Sequence, residues 1–154
     1  MVSRLEVFLK EKHILYETVI HPEAYTAQET AESMHVSGDQ IAKTVMVKAG
    51  CAFVMAVLPA SRRLDMAKLK EVLGQDDLSI AQESEFKRFF PDCELGAEPP
   101  FGNLYGVRTL VDAAFAADSH FFFNAGSHHE AAGVDYKDYE TAVRPRVADF
   151  SRRQ

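Results

Sequence analysis

The chain has 154 residues, of which 47% are hydrophobic and 26% are charged, and its formal net charge is -6 at pH 7. This composition is ordinary for a globular protein and excludes a disordered or fibrous class. The negative charge also argues against a protein that coats long stretches of nucleic acid, because such coating needs a broad basic surface. We expect one domain over residues 1–154, since a chain of this length buries roughly two thirds of its unfolded surface.

Targeting and redox signals are weak. No uninterrupted apolar stretch approaches the ~18 residues that span a bilayer, and Glu6 stands where a signal peptide would be apolar. We therefore expect a cytoplasmic protein with no membrane association. The spacing of the two cysteines, Cys51 and Cys93, matches neither a zinc knuckle nor a redox motif. We expect both to be free structural thiols.

The first half of the chain predicts helices that begin at capping boxes and strands marked by alternation. The boxes are Ser3–Glu6 and Thr26–Glu29. The predicted elements are a helix to about residue 13, a strand over 14–20, a helix that ends before Gly38, and a hairpin over 41–48 and 51–58. The second hairpin strand is apolar on both parities, so we expect it to be central in its sheet.

The second half predicts shorter elements. A helix over 66–73 follows Asp65 as its cap, and a last helix lies around residues 136–143. Between them we expect strands over 78–81, 104–111 and 120–124, with a helix over 83–90. Helices and strands mix irregularly, which favours an α+β fold with a mixed, curved, barrel-like β-sheet flanked by helices. No glycine-rich phosphate loop follows a strand, so no nucleotide cofactor is expected.

Lys43 is the most informative residue. The alternation over residues 41–48 places its ammonium on the same strand face as Ile41, Val45 and Val47, a face that should be apolar. The lysine stem can run along apolar surface with its head in water, or the half-buried ammonium can bind a carbonyl or phosphate oxygen. Thr44 points to the opposite face, as an ordinary β-forming residue also would.

Two glycine-punctuated segments suggest loops that bring backbone close to a ligand. Residues 96–102 combine two glycines and two prolines around Phe101, which predicts a stiff loop that closes over a small group or forms a plain surface turn. In residues 124–129 a glycine precedes Ser127, His128 and His129, and its freedom lets consecutive N–H groups converge on an oxyanion. With Lys43, these segments indicate a pocket that carries one positive charge.

Other chemistries are less well supported. Adjacent His128 and His129 would point in opposite directions on a strand, and no helical histidine pair is present, so we expect no metal site. Ser127, His129 and Asp112 could form a hydrolytic triad on paper, but the sequence has no nucleophile elbow. His21 and Tyr25 precede a helix start and could line the mouth of a pocket or be exposed turn residues.

Several short motifs follow one another along the chain. They are His21-Pro22 with Tyr25-Thr26, Ala42-Lys43-Thr44, Arg63-Leu64-Asp65, a G-x-x-x-P from Gly96 to Pro100 followed by Phe101-Gly102, Val111-Asp112, and a G-x-x-H from Gly126 to His129. Their order resembles the YbaK/ProX family of trans-editing aminoacyl-tRNA deacylases, which is similar to the editing insertion of bacterial prolyl-tRNA synthetases. The resemblance covers the chain from about Leu5 to Val143.

This resemblance implies hydrolysis of a wrongly charged amino acid from tRNA without a metal or other cofactor. It implies that Lys43 corresponds to the essential lysine of the family and holds the ester carbonyl or the terminal phosphate. Backbone N–H groups near Gly126 would stabilise the oxyanion, and a water would attack with help from the neighbouring ribose hydroxyl. The implied site residues are Lys43, Gly126 and His129 for catalysis, and His21, Tyr25, Thr26, Thr44, Gly96, Pro100, Phe101, Gly102, Asn124, Ser127 and His128 for substrate binding.

Two other functions stay open on the sequence. The chain could be a noncatalytic module that binds tRNA 3′ ends or aminoacyl ligands, or an adaptor that docks on an aminoacyl-tRNA synthetase. Lys43 separates catalysis from binding, because a binding module could retain affinity with methionine there whereas a deacylase that uses the cation should lose most of its rate. The expected partner is the tRNA acceptor end that carries a noncognate amino acid, with an aminoacyl-tRNA synthetase as a second candidate.

Overall fold

The computed structural model describes residues 1–154, with five helices and ten strands. The helices are α1 (Ser3–Glu11), α2 (Ala27–Met34), α3 (Met66–Leu73), α4 (Glu83–Phe86) and α5 (Tyr136–Val143). The strands are β1 (Glu17–Ile20), β2 (Ala42–Ala49), β3 (Ala52–Pro59), β4 (Arg62–Leu64), β5 (Leu78–Ile80), β6 (Arg108–Asp112), β7 (His120–Ser127), β8 (Glu130–Asp135), β9 (Arg146–Ala148) and β10 (Ser151–Arg153).

The strands form three sheets. The largest has the order β5-β2-β3-β6-β9 and mixes an antiparallel hairpin, β2–β3, with parallel pairs between β3, β6 and β9. The second is antiparallel, β1-β8-β7, and β4 pairs with β10 in a two-stranded ribbon. A single parallel bridge, Ile41 to Phe122, connects the two larger sheets. The predicted α+β class with a mixed sheet is confirmed, but the strands do not close into a barrel.

The β2–β3 hairpin is buried on both faces. Met46 and Met55 belong to the main core cluster, which also contains Phe121 and Phe123 of β7 and the tyrosines of α5. Val47 and Leu58 belong to a second cluster with Leu69 of α3. Odd- and even-numbered residues of β3 therefore point into two different hydrophobic clusters, which is why β3 is apolar on both faces. The predicted central position of this strand is confirmed.

Two of the predicted helix caps are confirmed and one is wrong. The Thr26 side chain accepts a hydrogen bond from the Glu29 N–H, and the Asp65 side chain accepts one from the Lys68 N–H. Ser3 is instead the first helical residue of α1, and the cap position is held by Val2, whose side chain makes no capping bond. Hydrophobic packing of α1, rather than a side-chain cap, defines its start.

Four strands escape the sequence patterns: β4, β8, β9 and β10. Three of them have only three residues, too few to show an alternation, and β8 is rich in alanine and glycine. The glycine segment expected as a loop after Asn124 instead belongs to β7, which continues to Ser127 across an irregularity in its pairing with β8. Both cysteines are free, as predicted. None of the helices has the length and hydrophobicity that a membrane span requires.

Candidate functional site

A cavity of about 290 Å³ lies where the start of α2, the first half of β2 and the loop before residue 99 meet β7. Six of the fourteen residues predicted for the site line it: Tyr25, Thr26, Lys43, Thr44, Gly96 and Asn124. Its other lining residues are Ala27, Gln28, Ala42, Val45 and Glu98. The structure thus brings together parts of the chain that are as much as a hundred residues apart in sequence.

An open strand edge forms one wall of this cavity. β5 pairs with β2 only over Val47–Ala49, so the first half of β2 has no strand partner on that side. The Met46 carbonyl faces this edge, where it accepts a hydrogen bond from the Ala81 N–H. Because backbone groups alternate in direction along a strand, the N–H and C=O of Thr44 point to the same edge, toward the cavity.

Lys43 is half-buried on the cavity wall. No carboxylate lies within 4.0 Å of its ammonium, since the six ion pairs of the chain involve other groups. Burial lowers the pKa of the Lys43 ammonium, and the positive charge of Arg63 lowers it further. The ammonium therefore has no internal counter-ion and can bind an oxygen atom of a ligand.

Glu98 is the main site residue that the sequence reasoning missed. Its side chain is only 6% exposed, and one carboxylate oxygen accepts a hydrogen bond from the Gly96 N–H at 3.2 Å. The Thr44 hydroxyl donates to the Glu98 backbone carbonyl at 3.4 Å, which ties the loop to β2. Burial raises the pKa of the Glu98 carboxyl. An acidic residue inside the otherwise apolar run 97–101 was the signal that could have indicated it.

Asn124 adds a second acceptor to the cavity. Its side-chain oxygen is buried and has no hydrogen-bond partner within the protein. Buried polar groups are nearly always hydrogen-bonded, so an unpartnered acceptor on a cavity wall is suited to a ligand that donates a hydrogen bond. The cavity thus presents a cation at Lys43 and acceptors at Glu98 and Asn124.

His128 and Gly126 support the loop from outside the cavity. The His128 N–H donates to the Glu94 carboxylate at 2.9 Å, and its ring nitrogen Nε2 is 2.6 Å from the Leu95 carbonyl. Gly126 has φ +102°, a conformation that favours glycine, and its N–H donates to the Ala97 carbonyl at 3.0 Å. These bonds fix residues 94–98, and they occupy the N–H of Gly126.

Pro100, Phe101 and Gly102 lie in the interior and do not line the cavity. The Tyr139 hydroxyl donates to the Pro100 carbonyl at 2.7 Å, and the fully buried Phe101 ring packs edge-to-face against Tyr139. A Cβ atom at Gly102 would lie 2.3 Å from the Val107 carbonyl oxygen. These three residues attach the end of the loop to the core.

The remaining predicted residues, His21, Ser127 and His129, also lie outside the cavity lining. His21 is buried, and its N–H donates to the His129 carbonyl at 3.0 Å. The side chain of His129 is exposed in the turn between β7 and β8, and Ser127 is half-buried at the end of β7. The site roles of all three stay predictions from the resemblance.

Comparison with known proteins gives a consistent assignment. A family model described as an aminoacyl-tRNA editing domain matches residues 21–142. The proline--tRNA ligase of Thermosipho africanus (strain TCF52B) is 35% identical over 74 residues, which are 48% of this chain and 13% of the ligase. That of Nitratidesulfovibrio vulgaris (strain DP4) is 30% identical over 105 residues, 68% of this chain and 18% of the ligase. The chain spans less than a fifth of either ligase.

Solved structures share the fold. The crystal structure of "hypothetical protein APE2540" superposes with a TM-score of 0.86 at 21% identity and covers 97% of this chain and 100% of that one. A second, described as "a putative trans-editing enzyme for prolyl tRNA synthetase", has a TM-score of 0.82 at 20% identity and covers 97% and 95%. The chain belongs to the aminoacyl-tRNA editing domain family, as the resemblance to YbaK/ProX proteins predicted.

Proposed function

We propose that the protein hydrolyses the ester bond of mischarged aminoacyl-tRNA. The observation that carries this proposal is the half-buried Lys43 ammonium, which faces a cavity and has no counter-ion in the chain. A domain of the editing family with an uncompensated cation at a small cavity is suited to an ester whose carbonyl oxygen becomes negative during hydrolysis. We also propose that it acts as one domain over residues 1–154, in the cytoplasm, on the tRNA acceptor end.

The cavity fits a small aminoacyl group. Its volume of about 290 Å³ is close to the lower end of the range for small-molecule sites, about 300 to 1,000 Å³. An aminoacyl ester carries an ammonium group, which donates hydrogen bonds and is positively charged. The buried Glu98 carboxylate and the unpartnered Asn124 oxygen provide acceptors for that group. We therefore assign recognition of the amino group to Glu98 and Asn124.

The reaction needs stabilisation of the tetrahedral oxyanion. A water oxygen attacks the ester carbon, the bond from that carbon to the ribose oxygen breaks, and the ribose oxygen leaves with a proton. Lys43 would hold the carbonyl oxygen or the terminal phosphate, and the adjacent ribose hydroxyl would assist the water. The Gly126 N–H already donates to Ala97, so the backbone donor that we assign to the oxyanion is the Thr44 N–H at the open edge of β2.

In this account Gly126 and His128 act as positioning residues. They hold residues 94–98 through backbone and side-chain hydrogen bonds, and this segment includes Gly96 and Glu98, which line the cavity. His129, which corresponds to the histidine of the G-x-x-H motif in the resemblance, would contribute through the turn in which its carbonyl accepts a hydrogen bond from the His21 N–H. No protein nucleophile is required by this scheme.

The test is single-turnover deacylation of a panel of mischarged tRNAs that begins with Ala-tRNAPro, Cys-tRNAPro and Ser-charged species. We expect the wild-type protein to release one of these amino acids and Lys43→Ala to release it at least tenfold more slowly. Binding of the acceptor end without release of any amino acid would support the alternative, a noncatalytic module for tRNA 3′ ends or aminoacyl ligands. Association with a synthetase is tested separately, by co-purification of the protein with prolyl-tRNA synthetase.

A further inference from the structure

The β4–β10 ribbon concentrates positive charge. In its antiparallel register Arg152 lies opposite Arg63, and Arg153 lies opposite Arg62. Like charges directly opposite each other destabilise a sheet. No carboxylate lies within 4.0 Å of any of the four guanidinium groups. In a chain whose net charge is -6, this uncompensated cluster is a local feature that needs its own explanation.

The ribbon borders the candidate site. Gln154, directly after β10, accepts a hydrogen bond at 2.7 Å from the side chain of Gln28, which lines the cavity. Arg63 lies close enough to Lys43 for its charge to lower the pKa of the Lys43 ammonium. A molecule that extends out of the cavity past Gln28 therefore meets the guanidinium groups of the ribbon.

The other face of the ribbon opens on a second depression. Arg62 and Arg153 line a groove of about 800 Å³ together with Ser61 and Gln154. Three of the four arginines are exposed, while Arg62 is half-buried and donates to the Ser151 hydroxyl at 2.6 Å. Cations are thus available on both faces of the ribbon, between this groove and the cavity that contains Lys43.

We infer that the arginine ribbon, Arg62, Arg63, Arg152 and Arg153, binds the phosphate backbone of the RNA whose 3′ end enters the cavity. This inference rests on the proposed function, which places that 3′ end at Lys43. Guanidinium groups bind phosphate oxygens with two parallel hydrogen bonds, and a polyanion would relieve the repulsion across the ribbon. Because the ribbon borders the cavity, we assign it to the nucleic acid that carries the ester and not to an acidic protein.

The experiment compares two double variants that each remove two positive charges. Arg63→Gln with Arg152→Gln changes one directly opposed pair of exposed arginines, neither of which makes a side-chain hydrogen bond, and Arg108→Gln with Lys137→Gln changes exposed cations elsewhere. The probes are an uncharged acceptor-stem minihelix that ends in CCA and the CCA trinucleotide alone. Affinity is measured by fluorescence anisotropy between 50 and 200 mM salt, at about 25 °C, together with the melting temperature.

We expect the ribbon variant to bind the minihelix about tenfold more weakly at low salt, with a salt slope reduced by about 0.7 to 0.9 for each lost phosphate contact. We expect the trinucleotide to have the same affinity for the ribbon variant as for the wild type. The melting temperature of the ribbon variant should be unchanged or raised, because a pair of like charges is removed. The control variant should bind the minihelix like the wild type.

The inference is overturned if the ribbon variant loses as much affinity for the trinucleotide as for the minihelix, or if the control variant loses as much affinity for the minihelix as the ribbon variant does. It is also overturned if the ribbon variant binds the minihelix as tightly as the wild type. Unchanged minihelix binding combined with capture of an acidic protein would assign the ribbon to a protein partner instead. The two proposals fail separately. If the minihelix binds through the ribbon but no amino acid is released, the proposed function alone is contradicted. If deacylation depends on Lys43 but the ribbon variant binds the minihelix as tightly as the wild type, this inference alone is contradicted.

Discussion

Replacing Lys43 with methionine should abolish most of the deacylation rate while the fold is retained. Methionine has an unbranched side chain that can occupy the half-buried path of the lysine stem without its charge. Two unit charges about 4 Å apart interact by about 4 kcal/mol at an effective dielectric constant of 20. Because Lys43 is half exposed, water screens part of this energy, and we expect a loss of about 2.7 kcal/mol, or roughly 100-fold in rate.

A matched control lies on the same strand. Lys48 is also partly exposed, pairs with Glu85 at 3.0 Å and lies outside the cavity. Lys48→Met should leave the single-turnover rate within about twofold of the wild type and cost at most about 1 kcal/mol of stability. Lys43→Arg should recover part of the rate, because the positive charge is retained with a different shape. The reasoning is refuted if Lys43→Met, folded and able to bind substrate, retains a rate within threefold of the wild type.

Three further predictions concern two charged residues of the site and two glycines outside it. Deprotonation of Lys43 at high pH should lower the rate at a pH below the ordinary lysine pKa of about 10.4, and Arg63→Gln should move this alkaline limb to higher pH in a pH–rate profile. The raised pKa of Glu98 should place an acidic limb above the ordinary glutamate value of about 4.3, and Glu98→Gln should remove that limb. Gly102→Ala forces a Cβ against a backbone carbonyl and should cost about 2 to 3 kcal/mol, whereas Gly106→Ala, at φ +69° in open space, should cost about 1 kcal/mol. Limbs that do not shift, or equal falls in melting temperature for the two glycine variants, would count against these arguments.

Much of the fold follows from local patterns. The alternation in β2, the turn at Gly50 and the two-sided apolar pattern of β3 predict the central hairpin because both faces of it are buried. Thr26 and Asp65 mark helix starts because their side chains accept N–H bonds within the first turn. The short strands β4, β9 and β10 depend on pairing with distant parts of the chain, and no local pattern encodes that pairing.

The candidate site was predictable where a residue broke a local pattern. Lys43 is recognisable because a cation interrupts an apolar strand face. Gly96 and Gly126 are recognisable because they punctuate two segments of the sequence, and the structure gives both of them a positive φ, which favours glycine. Glu98 escaped prediction because its burial results from the path of the loop across β2, which the sequence does not show. Phe101 was expected near the ligand but lies in the core. Burial of a large aromatic ring is favourable, and the sequence does not show whether the ring faces the interior or the ligand.

The most direct test of the central claim is single-turnover deacylation in water enriched in ¹⁸O, with the products identified by mass spectrometry. We predict that wild-type protein releases a free amino acid with one ¹⁸O atom in its carboxylate and leaves the ribose hydroxyl of the tRNA unlabelled, and that Lys43→Met releases the amino acid about 100-fold more slowly. A bound but intact ester, or ¹⁸O in the tRNA in place of the amino acid, would contradict hydrolysis by attack of water on the ester carbonyl.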